Sequence, residues 1–324
     1  MKKILKIFFS IFISQILFIH CAHADISASI SLNPKNPEPN STISITLESY
    51  SFDVDTADIT WEVRNKIVLE GEGRDVFTIR TGNVGEVIPI TVTAKTASGD
   101  FIKQEINITP SSVSLLYEAP KSYVPTFYEG RSLPSEGGTI RVSALPQLSD
   151  NGVMLDPSRL AYSWYINDTI FKKASGIGKQ SINVRLDYLH DTNEIKVVAR
   201  TPLGNIATKT ITVYAHPVLP LLYNYDPILG SDFTMLINKR YEAIKNFTLS
   251  LEPLYVSIGE SKEPTYTWYL NGLPATPIGG RVLELHPKEN DYGSKILTLD
   301  VFGPDRRLQS ASNRIEIIFD TRKP

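Results

Sequence analysis

The chain has 324 residues, 42% of them hydrophobic, with 33 Lys and Arg against 35 Asp and Glu. That near-neutral balance, without a long basic tract, excludes the counterion-release electrostatics on which nucleic-acid binding depends. The length exceeds what one sandwich core holds, so two or three domains are expected.

The first 24 residues read as a leader. Lys2, Lys3 and Lys6 form a positive start, and an apolar run of Ile, Phe and Leu extends from Ile4 to Ile19. Ala22 and Ala24 put small residues at the two positions a signal peptidase reads, which places cleavage before Asp25. Ser10, Ser14 and Gln15 interrupt the run, so no stable membrane insertion is expected after cleavage. Cys21 is the one cysteine and lies inside the leader behind Ile19 and His20, a poor context for lipidation. A mature chain without cysteine has no disulfide, so packing alone must hold its domains. Losing the three leader lysines leaves 30 basic against 35 acidic residues, a net charge of −5.

The mature sequence then writes one pattern three times. An alternating run at 43–47 precedes the phrase ITWEVRN at 59–65, and a hairpin pattern follows at 87–109, turning at Ser98, Gly99 and Asp100. The second copy has a run at 139–144, YSWYIND at 162–168, and a hairpin at 194–215 turning at 202–205. The third has a run at 246–251, YTWYLNG at 266–272, and a hairpin at 295–319 turning at Gly303, Pro304 and Asp305. Trp61, Trp164 and Trp268 are spaced by 103 and 104 residues, a repeat of domain size. Residues alternate around each Trp as in a half-buried strand, and Asn271-Gly272 favours the positive φ angles of a tight hairpin turn. No stretch sustains a helical period.

Strand, inward Trp strand and closing hairpin in about one hundred residues is the pattern of an all-β immunoglobulin-like sandwich. The expected organisation is a leader at 1–24 and three tandem β-sandwiches at 25–110, 111–215 and 216–324. SLLYEAP at 114–120 and PLLYNYDP at 220–227 open the second and third repeats 106 residues apart. The joints before them are short and contain Pro, so a stiff arrangement is expected rather than long flexible linkers.

Together WYLNG at 268–272, WYIND at 164–168 and the opening NPKNPEPNSTISITLES at 33–49 resemble tandem bacterial immunoglobulin-like domains of exported surface proteins. The related PKD-type repeats carry a Trp-Asp-Phe-Gly-Asp phrase, which is lacking at all three Trp positions. The resemblance implies an adhesive, scaffolding or envelope-associated role and no site residues, since fold does not fix function.

No motif for chemistry competes with this reading. ASGIGKQS at 174–181 suggests a phosphate loop, but Lys173 stands where a Gly is needed and Gln180 where Ser or Thr is needed. Asp53, Asp55 and Asp58 could gather a Ca²⁺, yet the loop lacks the Gly and distal Glu of an EF-hand. His190, His216 and His286 are far apart and have no Cys to assist them. No Gly-x-Ser-x-Gly elbow appears. The chain is therefore expected to be no enzyme, with no catalytic residues, no metal and no cofactor.

The exposed aromatics are the remaining candidates. Tyr165 and Tyr269 should face away from the Trp cores, and Tyr123, Phe127 and Tyr128 crowd a Pro- and Gly-bounded loop at 123–130. They could cover a joint between domains or contact a partner, a protein or a glycan at the cell surface. The expected function is a secreted surface scaffold or adhesion module. A glycan-binding protein, or an accessory protein of envelope or pilus assembly, is the alternative. The location is extracellular, cell-surface or periplasmic.

Overall fold

The computed structural model describes residues 26–132, 134–187, 192–243, 246–259, 262–288, 292–304 and 309–320. The leader with Cys21, and also His190, lie outside the described residues. The chain divides into two compact units, one ending at Pro110 and the other spanning 111–324.

In the first unit, strands Ser29–Asn33, Thr42–Glu48 and Val76–Arg80 form a three-stranded sheet. Lys66–Glu72, Asp58–Val63, Ile88–Lys95 and Phe101–Ile108 form a four-stranded one. Alternation dictates which side chains face inward. In Thr42–Glu48 the buried residues are Ile43, Ile45 and Leu47, and in Ile88–Lys95 they are Ile88, Ile90, Val92 and Ala94. They close over Trp61, which is 0% exposed and stacks on Phe77 at 5.7 Å between centroids.

The second unit holds two such sandwiches, each with its own core. Ser181–Arg185, Thr139–Gln147 and Ser112–Glu118 face a sheet of Thr169–Ile170, Ala161–Ile166, Thr192–Arg200 and Ile206–Tyr214, around a fully buried Trp164. The strand order matches that of the first unit. The third sandwich is larger. Gly230–Ile237 widens one sheet, and Arg240–Ala243 crosses to the other, where it runs parallel to Ser310–Asp320. Trp268 is buried at its centre. These are tandem immunoglobulin-like β-sandwiches, with helical structure among the described residues limited to three-residue 3₁₀ turns.

Each indole also makes the same hydrogen bond. Trp61 Nε1 donates to the Arg74 carbonyl at 2.7 Å, Trp164 to Lys179 at 2.8 Å and Trp268 to Gly280 at 3.0 Å. Each acceptor sits two residues before the next strand of the facing sheet, so the ring bridges the two sheets as a disulfide would.

The turn after each Trp strand follows one geometry as well. Residues 64 and 65, 167 and 168, and 271 and 272 all have positive φ, as a tight two-residue hairpin of this hand requires. In the second and third copies the Asn carbonyl oxygen accepts a backbone N–H of the adjacent strand, Glu194 to Asn167 at 2.8 Å and Ile296 to Asn271 at 2.7 Å. The corresponding position in the first copy is Pro89, which has no N–H to give, and Arg64 replaces the Asn. Asn167→Ala or Asn271→Ala should therefore cost about 1–2 kcal/mol in urea unfolding, from the lost acceptor and the strained αL backbone. Arg64→Ala has no such acceptor to lose and should change stability by less than about 1 kcal/mol, its partner Glu86 being an exposed ion pair.

Candidate functional site

The second sandwich carries a long segment, residues 119–138, between its first two strands. This arm leaves its own sheet and packs on the third sandwich. Tyr123 N–H donates to the Val256 carbonyl at 2.8 Å and Ile258 N–H to the Lys121 carbonyl at 2.6 Å, which forms a short antiparallel bridge. The Tyr123 ring packs against the third core, its hydroxyl donates to Glu252, and Arg281 donates to that hydroxyl. The Arg281 guanidinium lies 5.1 Å from the Tyr123 ring centroid.

Glu252 explains why this contact matters. In strand Phe247–Leu254 the core side is Leu249 and Leu251, yet Ser250 and Glu252 on the opposite side are buried too. A carboxylate buried to 5% exposure needs a donor, and the arm supplies Tyr123. Farther along the same outer face, Phe127 meets Phe233 at 4.5 Å and Tyr223 at 6.4 Å between centroids. Phe127 itself stays 45% exposed.

The arm returns through Ser135, which bridges to His216 at the entrance to the third sandwich. At the centre of this return lies Gln309, 3% exposed. The two N–H groups of its Nε2 are shared among Ser135 Oγ at 2.9 Å, the Glu136 carbonyl at 2.9 Å and Ser257 Oγ at 2.8 Å, while its Oε1 accepts from Ser257 N–H at 3.1 Å. One amide thus links three segments across 174 residues of sequence.

Of the sequence-derived candidates, Tyr123 and Phe127 lie on the third sandwich. Tyr128 is partly buried within the arm, its ring folded over Gly130, where an added Cβ would stand 2.4 Å from the Tyr128 hydroxyl. Tyr165 is on the outer face of its strand with the Lys196 ammonium 5.0 Å from its ring centroid, and Lys196 also pairs with Asp168 at 3.0 Å. Tyr269 is partly exposed on the outer face of its strand, opposite Thr298 and Pro274. The arm therefore gathers Tyr123, Phe127 and Tyr128, whereas Tyr165 and Tyr269 stand apart on sheet faces.

Other motifs have structural employment. Asp53 caps a 3₁₀ turn by accepting the Asp55 N–H at 3.1 Å. His216 packs on Tyr255 at 4.7 Å, and His286 lies 3.4 Å from Glu284. Among the described residues no three His, Cys, Asp or Glu side chains are grouped to hold a metal ion. Gly178 lies in a turn beside the backbone of Ser158.

Beside the Tyr123 joint opens a cleft of 510 Å³, lined in part by Tyr123, Tyr266, Arg281, Glu263, Gly279 and Gly280. Gly280 has φ +79, and a Cβ there would sit 3.4 Å from the Tyr266 ring. Sequence reading missed Glu252, Arg281 and Gln309. Glu252 alone left a signal, the one charged residue in strand Phe247–Leu254.

No family model matches the sequence, and no curated protein matches it. Among solved structures it is similar to the fibronectin(III)-like modules of Clostridium thermocellum CbhA, at 11% identity and a TM-score of 0.30, over 58% of this chain and 94% of that one. It is similar to the central fibronectin-III array of RIM-binding protein at 12% identity and 0.29, over 90% and 96%. The three N-terminal domains of the bacteriophage RB49 Highly Immunogenic Outer Capsid protein match at 10% identity and 0.28, over 91% and 98%. Likenesses this distant carry no argument about ligand or activity. The fold stands on the sheet topology.

Alkaline pH tests the buried tyrosines. Burial first, then the hydrogen bond to Glu252, pushes the Tyr123 hydroxyl up to about 12, and burial does the same to Tyr162. An unfolded tyrosine ionises near 10. The folded state thus holds these protons more tightly, a stabilisation fully present below pH 10 and lost as pH rises from 10 towards 12. Unfolding free energies measured by urea titration should be level from pH 8 to 9.5 and fall above 10. Tyr123→Phe should flatten part of that fall, and an identical pH profile in the variant would count against the assignment.

Proposed function

We propose that this chain is exported and acts, without catalysing a reaction, as a surface scaffold or adhesion module of three immunoglobulin-like domains at 25–110, 111–215 and 216–324. The observation that carries the reading is the arm joint. A buried glutamine, a tyrosine wedge and an aromatic contact hold two sandwiches in one orientation. Such a joint has a use where surfaces must be presented at fixed spacing. Supporting it are the leader-like start and the Trp bridges, which give each core its cross-sheet tie without a disulfide.

The test compares the mature protein with a Tyr123→Ser, Phe127→Ser, Tyr128→Ser variant. For the 111–324 fragment, small-angle scattering should show a broader distribution of lengths in the variant, and binding to cells or isolated envelopes should weaken along with the loss of order. Unchanged scattering with lost binding would instead make the arm a recognition surface. Turnover of a substrate by the mature protein would sink the proposal.

A further inference from the structure

The cleft beside the Tyr123 joint has a composition that the joint alone does not require. Arg281 is half-buried on its wall, and among the described residues the one hydrogen bond of its guanidinium goes to a neutral hydroxyl, that of Tyr123. The buried carboxylate nearby, Glu252, is taken by the same hydroxyl. A guanidinium has five N–H donors in a planar fork that matches a carboxylate, so donors remain to be used. The Tyr266 ring forms a second aromatic wall, and Gly280 keeps that face open. The rim carries Glu263, an exposed acceptor for hydroxyl groups.

We infer that this cleft binds a carboxylate-bearing sugar. The carboxylate meets the free edge of Arg281, the apolar face of the pyranose stacks on Tyr266, and a ring hydroxyl donates to Glu263. A cleft of 510 Å³ has room for one or two sugar units. Glu263→Gln keeps an amide oxygen to accept the hydroxyl and removes only the repulsion of the ligand's charge, so its effect has one sign.

The experiment is isothermal titration of the full mature chain with D-glucuronic acid, N-acetylneuraminic acid, D-glucose, acetate and triglycine. At least one of the sugar acids should bind saturably, with glucose, acetate and triglycine each weaker by about tenfold or more, the scale of losing a charge-assisted bidentate contact or the stacked ring. Arg281→Gln should weaken the acid by about tenfold. Because that change also touches the joint, Glu263→Gln serves as the second variant. It is exposed and should strengthen acid binding by roughly twofold. Equal binding of glucose, tighter binding of triglycine, no saturable binding of either acid, or a Glu263→Gln variant that binds more weakly would each overturn the inference.

Discussion

Replacing Trp164 or Trp268 with Ala should lower the unfolding free energy of its sandwich by about 3–5 kcal/mol, the range for emptying a buried aromatic site. Each ring is 0% exposed and is held from both sheets, so the surrounding strands cannot collapse into the space without breaking register. The change also removes the donor from the Lys179 or Gly280 carbonyl. Trp→Phe separates the two contributions. It keeps most of the apolar area, loses the N–H, and should cost about 1–3 kcal/mol. Trp61→Ala should have an effect of the same size, confined to the transition of the first unit. The measurement is urea unfolding followed by circular dichroism. A loss under about 1 kcal/mol at all three positions would contradict the role assigned to the indoles.

Gln309→Leu is the second change expected to act strongly. It preserves volume but takes the amide away from Ser135 Oγ, Ser257 Oγ, the Glu136 carbonyl and the Ser257 N–H; the two hydroxyls keep each other at 3.1 Å, so the carbonyl and the N–H are the groups left unpaired. Each buried polar group left unsatisfied costs about 1–3 kcal/mol. The groups lie together and the costs will not add fully, so a loss on the order of 3–5 kcal/mol is expected. The joint, not either core, should absorb it. Calorimetry of the 111–324 fragment should show one cooperative transition for the wild type and two for the variant. A single unshifted transition would show that Gln309 does not couple the sandwiches.

The strands were legible because their signal is local. A period of two places Ile43, Ile45 and Leu47 on one side whatever lies opposite, and the same rule turns each Trp inward. The turns were legible for a similar reason, since Asn-Gly at 271 and 272 is selected by backbone angles within the turn itself. The candidate site was only half legible. Crowded aromatics between a Pro and a Gly marked Tyr123, Phe127 and Tyr128 as a surface feature but left open what they cover. Their partners Glu252, Arg281 and Phe233 are 106 to 158 residues away in sequence.

No periodicity joins a glutamine at 309 to a serine at 135. An amide or carboxylate carries the same donors and acceptors wherever it stands, so its pairing is chosen by which segments packing brings together. Apolar alternation could therefore be read from the sequence alone. The arm, its buried carboxylate and the cleft beside it were decided by tertiary structure, because burying a polar group requires a partner that only the folded chain can deliver.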